Sequence, residues 1–156
     1  MTVSCDIVRR HYDILNRAAW DEWSLLLEED FLVHHASGAE VRGRADYIEG
    51  VKLYRASFPD LVVDVHRVIA QDCLLAADFV SRATFSADFL GISANGIRWQ
   101  LAGMGFYRVE HNRLAEAWFV EDVTGWLNTL SQPSVAASSS APRLMENTRE
   151  NTRVRS

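Results

Sequence analysis

Two adjacent carboxylates, Glu121 and Asp122, lie where an aromatic-rich apolar run changes to a helical pattern in LAEAWFVEDVTGWL. A partly desolvated carboxylate has a raised pKa and can accept or donate a proton near neutral pH. A carboxylate directly before a helix can instead accept hydrogen bonds from the free amides of the first turn. Asp122 directly precedes VTGWLNTL, which favours the capping role, with catalysis as the alternative. Glu121 is the better proton-transfer candidate, unless it is an exposed residue at a strand end.

A second pair of titratable residues, His34 and His35, lies in the extended segment FLVHHAS. Neighbouring residues on a strand face opposite sides, so at most one of the two imidazoles points inward. An imidazole titrates near neutral pH and can act as a general acid or base. We take His34 as the catalytic candidate, with His35 and a purely structural role as alternatives. No cluster of His or Cys has metal-ligand spacing, so the sequence predicts no metal site.

Two tyrosines and two glycines also have suggestive spacing. Tyr47 and Tyr54 lie seven residues apart, hence on one face of a predicted helix. Aromatic residues at this spacing usually pack in a core, but a phenol facing a pocket can also donate to a ligand or transfer a proton. Gly103 and Gly105 alternate along one face of a predicted strand. Glycine weakens a strand, so this repetition indicates a bend or room for a ligand.

The elements that must position these residues follow from hydrophobic periodicity. Helical spacing through Val8, Tyr12 and Leu15 predicts a first amphipathic helix, and WDEWSLLLEED predicts a short second one. GRADYIEGVKLYRASFPD predicts a third helix, which Pro59 ends. Four runs rich in branched and aromatic residues then predict successive antiparallel strands: LVVDVHRVIA, LLAADFVSRATF, IRWQLAGMGFYRVE and LAEAWFVE. Three helices followed by a curled sheet predict an α+β domain.

Composition narrows the class of protein. A chain of 156 residues with 48% hydrophobic content suits one domain with a sizeable core. The net charge of -5 argues against a nucleic-acid partner, which would require a basic face. Cys5 and Cys73 form no C-x-x-C motif, which favours a reducing compartment without a structural disulfide. We expect no signal peptide and no membrane-spanning helix, and therefore a cytoplasmic protein.

The end of the chain differs from the rest. From Ser131 it runs SQPSVAASSSAPRLMENTRENTRVRS, which is rich in Ser and poor in large apolar residues. Such a segment cannot bury enough surface to fold. The sequence therefore predicts a folded domain over residues 1–130 and a disordered tail over residues 131–156.

The order of these elements, with the pieces SFPDLVV, DFLGI and DVTGWLNTL, resembles the SnoaL-like polyketide cyclases of the NTF2-like group. The similarity runs from about Asp6 to Leu130. It implies a cone-shaped α+β barrel, in which a strongly curved antiparallel sheet wraps on three N-terminal helices around one deep pocket. It also implies a homo-oligomer, as a dimer or tetramer, and a cofactor-free enzyme of secondary metabolism such as antibiotic biosynthesis.

Two positions depart from the family pattern. In the ring-closing aldol cyclases an acid/base aspartate lies in the last strand, at the position of Phe119, and a histidine lies in the preceding strand, at the position of Gly105. Neither residue can remove a carbon-bound proton or support a developing enolate. The resemblance therefore supports the fold and argues against the family's aldol closure.

The same resemblance places Phe119 on the pocket wall. Period-two alternation then puts Glu121 on the same face, near the pocket mouth, and Asp122 on the opposite face. The residues expected to line a deep and mainly apolar pocket, and to bind a small hydrophobic substrate, are Leu15, Tyr47, Val51, Leu101, Gly103, Gly105 and Phe119.

These observations favour a cofactor-independent cyclase or isomerase that closes a ring in a lipophilic polyketide- or terpenoid-derived intermediate. Positioning of the reacting ends would provide most of the rate, and ring closure by a pericyclic reaction or epoxide opening fits better than an aldol. One alternative is an NTF2-like epoxide hydrolase, for which Asp78 and Arg82 on one strand face are the only hint. Another is a non-catalytic protein that binds a small molecule.

Overall fold

The structure, a computed structural model, describes residues 3–133. It has the predicted α+β class, and it contains the three predicted N-terminal helices and the four strands predicted after Pro59. Nearly all of the predicted disordered tail, from residue 134 onward, lies outside the described residues. In chain order the elements are α1 (Asp6–Arg17), α2 (Trp20–Leu26), β1 (Leu27–His35), β2 (Glu40–Arg42), α3 (Arg44–Ser57), β3 (Val62–Gln71), β4 (Leu74–Thr84), β5 (Arg98–Glu110), β6 (Arg113–Glu121) and α4 (Val123–Leu130).

The helices follow the sequence pattern. Helix α1 buries Val8, Tyr12 and Leu15, as expected for an apolar stripe with a helical period. Helix α3 ends before Phe58, because Pro59 disfavours a helical backbone at the residue that precedes it. Within residues 3–133, none of the helices is long and apolar enough to cross a membrane.

The six strands form one sheet in the order β2-β1-β6-β5-β4-β3. Strands β3 to β6 pair antiparallel as predicted, and β2 pairs antiparallel with β1. Strands β1 and β6 pair in parallel, with His35 opposite Phe119. The sheet is therefore mixed, which the sequence did not predict, because an N-terminal strand enters the sheet beside the last one. It is curved and not closed, since β2 and β3 remain separate edges.

Alternation along the strands separates a buried inner face from an exposed outer face. In β5, the side chains of Trp99, Leu101 and Tyr107 are buried on the inner face, whereas Met104 and Phe106 are exposed on the outer face. Helix α1 packs near β3, α3 near β1 and α4 near β5. The helices therefore cover the inner face, where the core lies.

An aromatic cluster fixes α4 to the sheet. The ring centroid of Trp126 on α4 lies 5.3 Å from that of Trp99, 5.7 Å from that of Phe58 and 5.7 Å from that of Phe89. Tilted and edge-to-face aromatic contacts of this kind stabilise a core beyond the area that they bury. This cluster holds α4 beside the end of β6, where Glu121 and Asp122 lie.

Candidate functional site

A cavity of about 220 Å³ lies between the inner face of the sheet and the helices α1, α3 and α4. Its wall is mostly apolar, which suits a lipophilic ligand. Five residues that the sequence analysis assigned to the pocket line it: Leu15, Tyr47, Val51, Leu101 and Phe119. The wall also contains side chains that the sequence analysis did not assign to it: Tyr12, Val63, Phe79, Ser81 and Trp126.

The cavity opens between the end of β1 and the start of α4. A second space of about 390 Å³, the outer depression, adjoins it. The two spaces share four lining residues, which mark the mouth: His35, Phe119, Glu121 and Val123. Pockets for drug-sized ligands occupy about 300–1,000 Å³, so a ligand of that size would need the outer depression as well as the inner cavity.

The Glu121 carboxyl group lies at this mouth. Glu121 pairs with Gly103 across β6 and β5, and a Cβ atom built on Gly103 would lie 2.9 Å from the Glu121 Cγ. Burial raises the pKa of Glu121, and none of the described residues compensates with a cationic partner. A carboxyl group of this kind holds a proton more readily than an exposed glutamate and is a candidate for proton transfer.

Asp122 has a different environment from its neighbour. Its Oδ1 accepts a hydrogen bond of 2.9 Å from the backbone amide of Gly125 and so caps α4. The side chain borders the outer depression and not the inner cavity. The geometry therefore places Asp122 as the cap of α4.

The two histidines lie on opposite faces of β1. His35 lines the cavity, and its burial lowers its pKa, so that it is neutral near pH 7. His34, the catalytic candidate from the sequence, lies on the outer face and stacks on Trp118 with ring centroids 5.2 Å apart. It is therefore away from the cavity, because the parallel register sets His35 and not His34 opposite Phe119.

Gly103 and Gly105 do not line the cavity, in contrast to the expectation from the sequence. The space that a side chain would fill is taken by neighbouring side chains. A Cβ atom at Gly103 would lie 2.6 Å from Cε2 of Phe79, and one at Gly105 would lie 2.5 Å from the hydroxyl oxygen of Tyr107. The glycines thus admit protein side chains and do not contact the ligand space directly.

Three tyrosines contribute to the wall of the cavity. Tyr47 and Tyr54, both on α3, line the cavity. Burial and, to a smaller extent, the nearby Glu121 carboxylate raise the pKa of both phenols, which therefore stay protonated as hydrogen-bond donors. Tyr12 on α1 also lines the cavity, although its place on the apolar stripe of that helix indicated only a core role.

The two residues that suggested an epoxide hydrolase, Asp78 and Arg82, do not lie at the cavity. Asp78 and Arg82 lie on the outer face of β4. Asp78 forms a salt bridge with Arg67, and Arg82 forms one with Asp64. Among residues 3–133, no group of three or more His, Cys, Asp or Glu side chains is arranged to hold a metal ion.

Comparison with known proteins identifies the family. The model of the SnoaL-like polyketide cyclase family matches residues 5–130. This chain belongs to the SnoaL-like polyketide cyclase family. No protein of the curated set matches the chain.

Solved structures share the fold of this SnoaL-like protein. A protein named as a SnoaL-like polyketide cyclase from Jannaschia sp. CCS1 is 18% identical, with a TM-score of 0.75 over 82% of this chain and 91% of the other. IdmH, named as a polyketide cyclase from Streptomyces antibioticus, is 24% identical, with a TM-score of 0.72 over 81% of this chain and 97% of the other. A protein named as a ketosteroid isomerase from Kribbella flavida DSM 17836 is 23% identical, with a TM-score of 0.60 over 74% and 75%.

The two unusual positions of this SnoaL-like chain are neighbours. Gly105 and Phe119 pair across β5 and β6. The aspartate and histidine that the resemblance to the aldol cyclases implies at these positions would therefore be neighbours across two strands, and this chain has Phe and Gly there. In this SnoaL-like protein the carboxyl group of the cavity lies two residues further along β6, at Glu121.

Proposed function

We propose that the protein is a cofactor-independent cyclase or isomerase that acts on a lipophilic polyketide- or terpenoid-derived intermediate of secondary metabolism. The observation that carries this proposal is the Glu121 carboxyl group, which lies at the mouth of an apolar cavity beside tyrosine hydroxyls and has a pKa raised by burial. A carboxyl group with a raised pKa can transfer a proton in a reaction. A cavity that only binds an apolar molecule would not require such a group.

The chemistry assigned to Glu121 is proton transfer at carbon. The carboxylate takes a proton from a carbon next to a carbonyl group, the C–H electron pair forms a carbon–carbon double bond, and the carbonyl π electrons move to oxygen. A phenol on the cavity wall donates a hydrogen bond to that oxygen and stabilises the developing charge. The protonated carboxyl group then returns its proton to the same or another carbon, which exchanges the hydrogen or moves the double bond.

Ring closure would rest mainly on the shape of the cavity. An apolar enclosure holds a flexible substrate in a folded form, and alignment of two reacting ends can lower a barrier by up to about 7–11 kcal/mol in favourable intramolecular cases. The resemblance implies acid/base residues at the positions of Phe119 and Gly105, which pair across two strands. We therefore assign ring closure to the apolar cavity and Glu121, and not to an aspartate and a histidine.

Hydrogen exchange in deuterium oxide tests the role of Glu121. The protein is incubated with apolar cyclic ketones such as α-tetralone, and deuterium next to the carbonyl group is measured by mass spectrometry. We expect exchange with the natural protein and a rate lower by roughly 10²–10⁴-fold with Glu121→Gln, which keeps the side-chain shape. Asp122→Asn is the matched control, because Asn caps a helix as well as Asp does. An unchanged rate in Glu121→Gln would contradict the proposal.

The same measurement separates the enzyme from a non-catalytic binding protein. Phe119 and Gly105 give this second candidate its support, since two positions for acid/base groups are apolar. A binding protein would bind the ketones, as seen by titration of tryptophan fluorescence, without exchanging their hydrogens. Binding with exchange supports the enzyme.

We further propose that the protein works in the cytoplasm as a homo-oligomer. Cys5 and Cys73 are both free thiols, in line with a reducing compartment. On the outer face of the sheet, Met104, Phe106 and Val120 are 63%, 57% and 65% exposed, and a second copy is the occupant that we assign to this patch. Light scattering should report a dimer or tetramer, and Phe106→Glu should reduce the measured mass. A monomeric natural protein would contradict this proposal.

A further inference from the structure

A pair of buried phenols lies at the wall of the inner cavity, and the proposed function does not say which phenol acts as the donor. Tyr12 on α1 and Tyr107 on β5 have hydroxyl oxygens only 2.5 Å apart. Tyr107 has no exposed surface, whereas Tyr12 is 5% exposed and contributes to the cavity wall. The pair therefore reaches the ligand space through Tyr12.

A count of hydroxyl protons shows that the pair has one donor to spare. Two phenols carry two such protons, and their mutual hydrogen bond uses one of them. The nearby imidazole of His11 does not take the other. Its Nδ1 accepts a hydrogen bond of 2.9 Å from the Trp23 indole, so the neutral ring carries its proton on Nε2, which is buried without a partner among the described residues and cannot accept. No acceptor for the second proton occurs among the described residues. Since a buried donor without an acceptor costs free energy, this proton fits an acceptor that a ligand brings.

Gly105 is the residue that makes room for the pair. A Cβ atom at this position would lie 2.5 Å from the hydroxyl oxygen of Tyr107 and 2.8 Å from its Cζ. A larger residue would therefore push the hydroxyl away from Tyr12. The resemblance to the aldol cyclases implies a histidine at position 105. In this chain the space beside Gly105 holds the phenol of Tyr107, the next inward-facing residue of β5.

The phenol pair and Glu121 lie at neighbouring points of one cavity wall. Gly103 gives room to Glu121 in the way that Gly105 gives room to Tyr107. Inward-facing positions two residues apart on a strand are separated by about 7 Å. A single ring system of ordinary size can therefore reach the carboxyl group and the phenol pair together.

We propose that the Tyr12–Tyr107 pair binds the carbonyl oxygen of a ketone whose apolar ring system fills the cavity and whose acidic carbon faces Glu121. This inference rests on the proposed function and names the class of substrate for the same site. Tyr12 donates to the substrate oxygen. Tyr107 is a positioning residue, which donates to Tyr12 and thereby makes Tyr12 a stronger donor, since chained hydrogen bonds polarise one another.

A matched pair of ligands tests the inference at equilibrium, without turnover. α-Tetralone and tetralin have the same bicyclic skeleton, and only α-tetralone carries a carbonyl oxygen. The full chain should bind α-tetralone more tightly than tetralin, by titration of tryptophan fluorescence. In Tyr12→Phe the affinity for α-tetralone should fall by roughly 3–10-fold, as for one neutral hydrogen bond, with the affinity for tetralin unchanged.

Infrared spectroscopy of the bound ketone gives a readout that a purely structural role would not move. The carbonyl stretch of α-tetralone should shift to lower frequency in the natural protein, shift less in Tyr107→Phe and lose the shift in Tyr12→Phe. Tyr54→Phe removes the competing phenol of α3 that lines the same cavity, and the shift should remain in this variant if the pair is the donor. Should Tyr12→Phe fail to fold by circular dichroism, Gly105→Ala provides a second variant, whose methyl group displaces the Tyr107 hydroxyl and should abolish the preference for α-tetralone.

Several outcomes would overturn the inference: equal affinity of the natural protein for the two ligands, no binding of α-tetralone at millimolar concentration, or an unchanged preference in Tyr12→Phe. If only Tyr54→Phe lost the preference for α-tetralone over tetralin, the inference would also be overturned, and the donor would be Tyr54 on α3. Glu121→Gln should keep the preference even though it loses hydrogen exchange. A failure of the phenol pair and a failure of the proposed proton transfer are thus distinguishable.

Discussion

Glu121 and Asp122 are neighbours in the chain and have opposite surroundings. The end of β6 turns the Glu121 carboxyl group into the cavity mouth, and the start of α4 turns the Asp122 carboxylate onto the helix amides. One carboxyl group is partly desolvated without a cationic partner, and the other is hydrogen-bonded and exposed. The same functional group is therefore suited to proton transfer at one position and to helix capping at the next.

Substitution of Asp122 should affect stability according to capping ability. We expect Asp122→Ala to lower the free energy of unfolding by about 0.5–2 kcal/mol, because the Gly125 amide loses its acceptor. Asp122→Asn should stay within a few tenths of a kcal/mol of the natural protein. Urea unfolding measures both values. Equal losses in the two variants would show that the charge, and not the cap, is what matters.

Glu121 should make stability depend on pH. Because burial raises its pKa in the folded protein above the ordinary value of 4.5, the folded state binds the proton more tightly than the unfolded state does. Its contribution is fully favourable below pH 4.5 and is lost as the pH rises through the folded pKa. We expect Glu121→Gln to melt at a higher temperature than the natural protein at pH 8, with the gap closing near pH 4. A gap that does not change with pH would contradict the buried placement.

The sequence predicted some residues of the site and missed others for physical reasons. Strand alternation was sufficient to put Phe119 and Glu121 on one face. His35 shares its strand face with the buried Phe31 and Val33, but Leu32 between them is also apolar, so the sequence alone did not show which face of β1 is the inner one. The pairing of Tyr12 with Tyr107 joins the first helix to the fifth strand, so the helical stripe indicated only burial for Tyr12.

At the scale of elements, polar contacts on the outer face join four strands, β2, β1, β6 and β5. The His34 imidazole on β1 lies 2.8 Å from the Glu40 carboxylate of β2 and 2.7 Å from the Glu116 carboxylate of β6. Arg108 on β5 donates to Glu116 from the other side, at 2.9 Å. These contacts, together with the stacking on Trp118, hold the short β1–β2 pair against the rest of the sheet.

This link should weaken as the pH rises. The hydrogen bond with Glu116 and the nearby Glu40 carboxylate raise the pKa of His34 above its ordinary value of 6.5. Its contribution to stability is therefore fully present below pH 6.5 and is lost as the pH rises through the folded pKa. We expect His34→Gln to lower the melting temperature at pH 6 and to have a smaller effect at pH 9. Calorimetry across this range would contradict the link if the difference were constant.

The sequence predicted correctly whether most segments form helices or strands, and it did not predict the pairing of β1 with β6. The apolar periods of α1 and α3, the stop at Pro59 and the branched residues of β3 to β6 are local signals, and the structure contains the corresponding elements. The parallel contact of β1 with β6 depends on how two distant segments meet. It needs the whole fold to form, and the resemblance to the family had implied an antiparallel sheet, so neither source predicted this pairing.

At the scale of the whole molecule, the boundary of the folded domain can be tested by truncation. The Asn95 side-chain amide donates to the carbonyl oxygens of Leu130 and Gln132, at 2.9 and 2.8 Å. A chain that ends at Gln132 keeps both contacts and should melt like the full chain, because the sequence predicts little stabilisation from the tail. A chain that ends at Leu130 loses one contact and should melt lower. A large drop for the longer chain would show that the tail packs on the domain.

The parallel pairing of β1 with β6 also determines when the protein can fold during its synthesis. Leu27 and Leu114 are neighbours in the sheet, so one edge of β1 has no partner until almost all of the domain has left the ribosome. A nascent chain must therefore carry an open, apolar strand edge through most of translation, which is a state that chaperones bind. We expect a fragment that ends at Glu110 to show no cooperative melting by circular dichroism, and a sharp transition would show that the earlier strands fold without β6. The N-terminal half of this protein therefore cannot complete its fold before its C-terminal end is made, and the cavity forms only once translation is nearly complete.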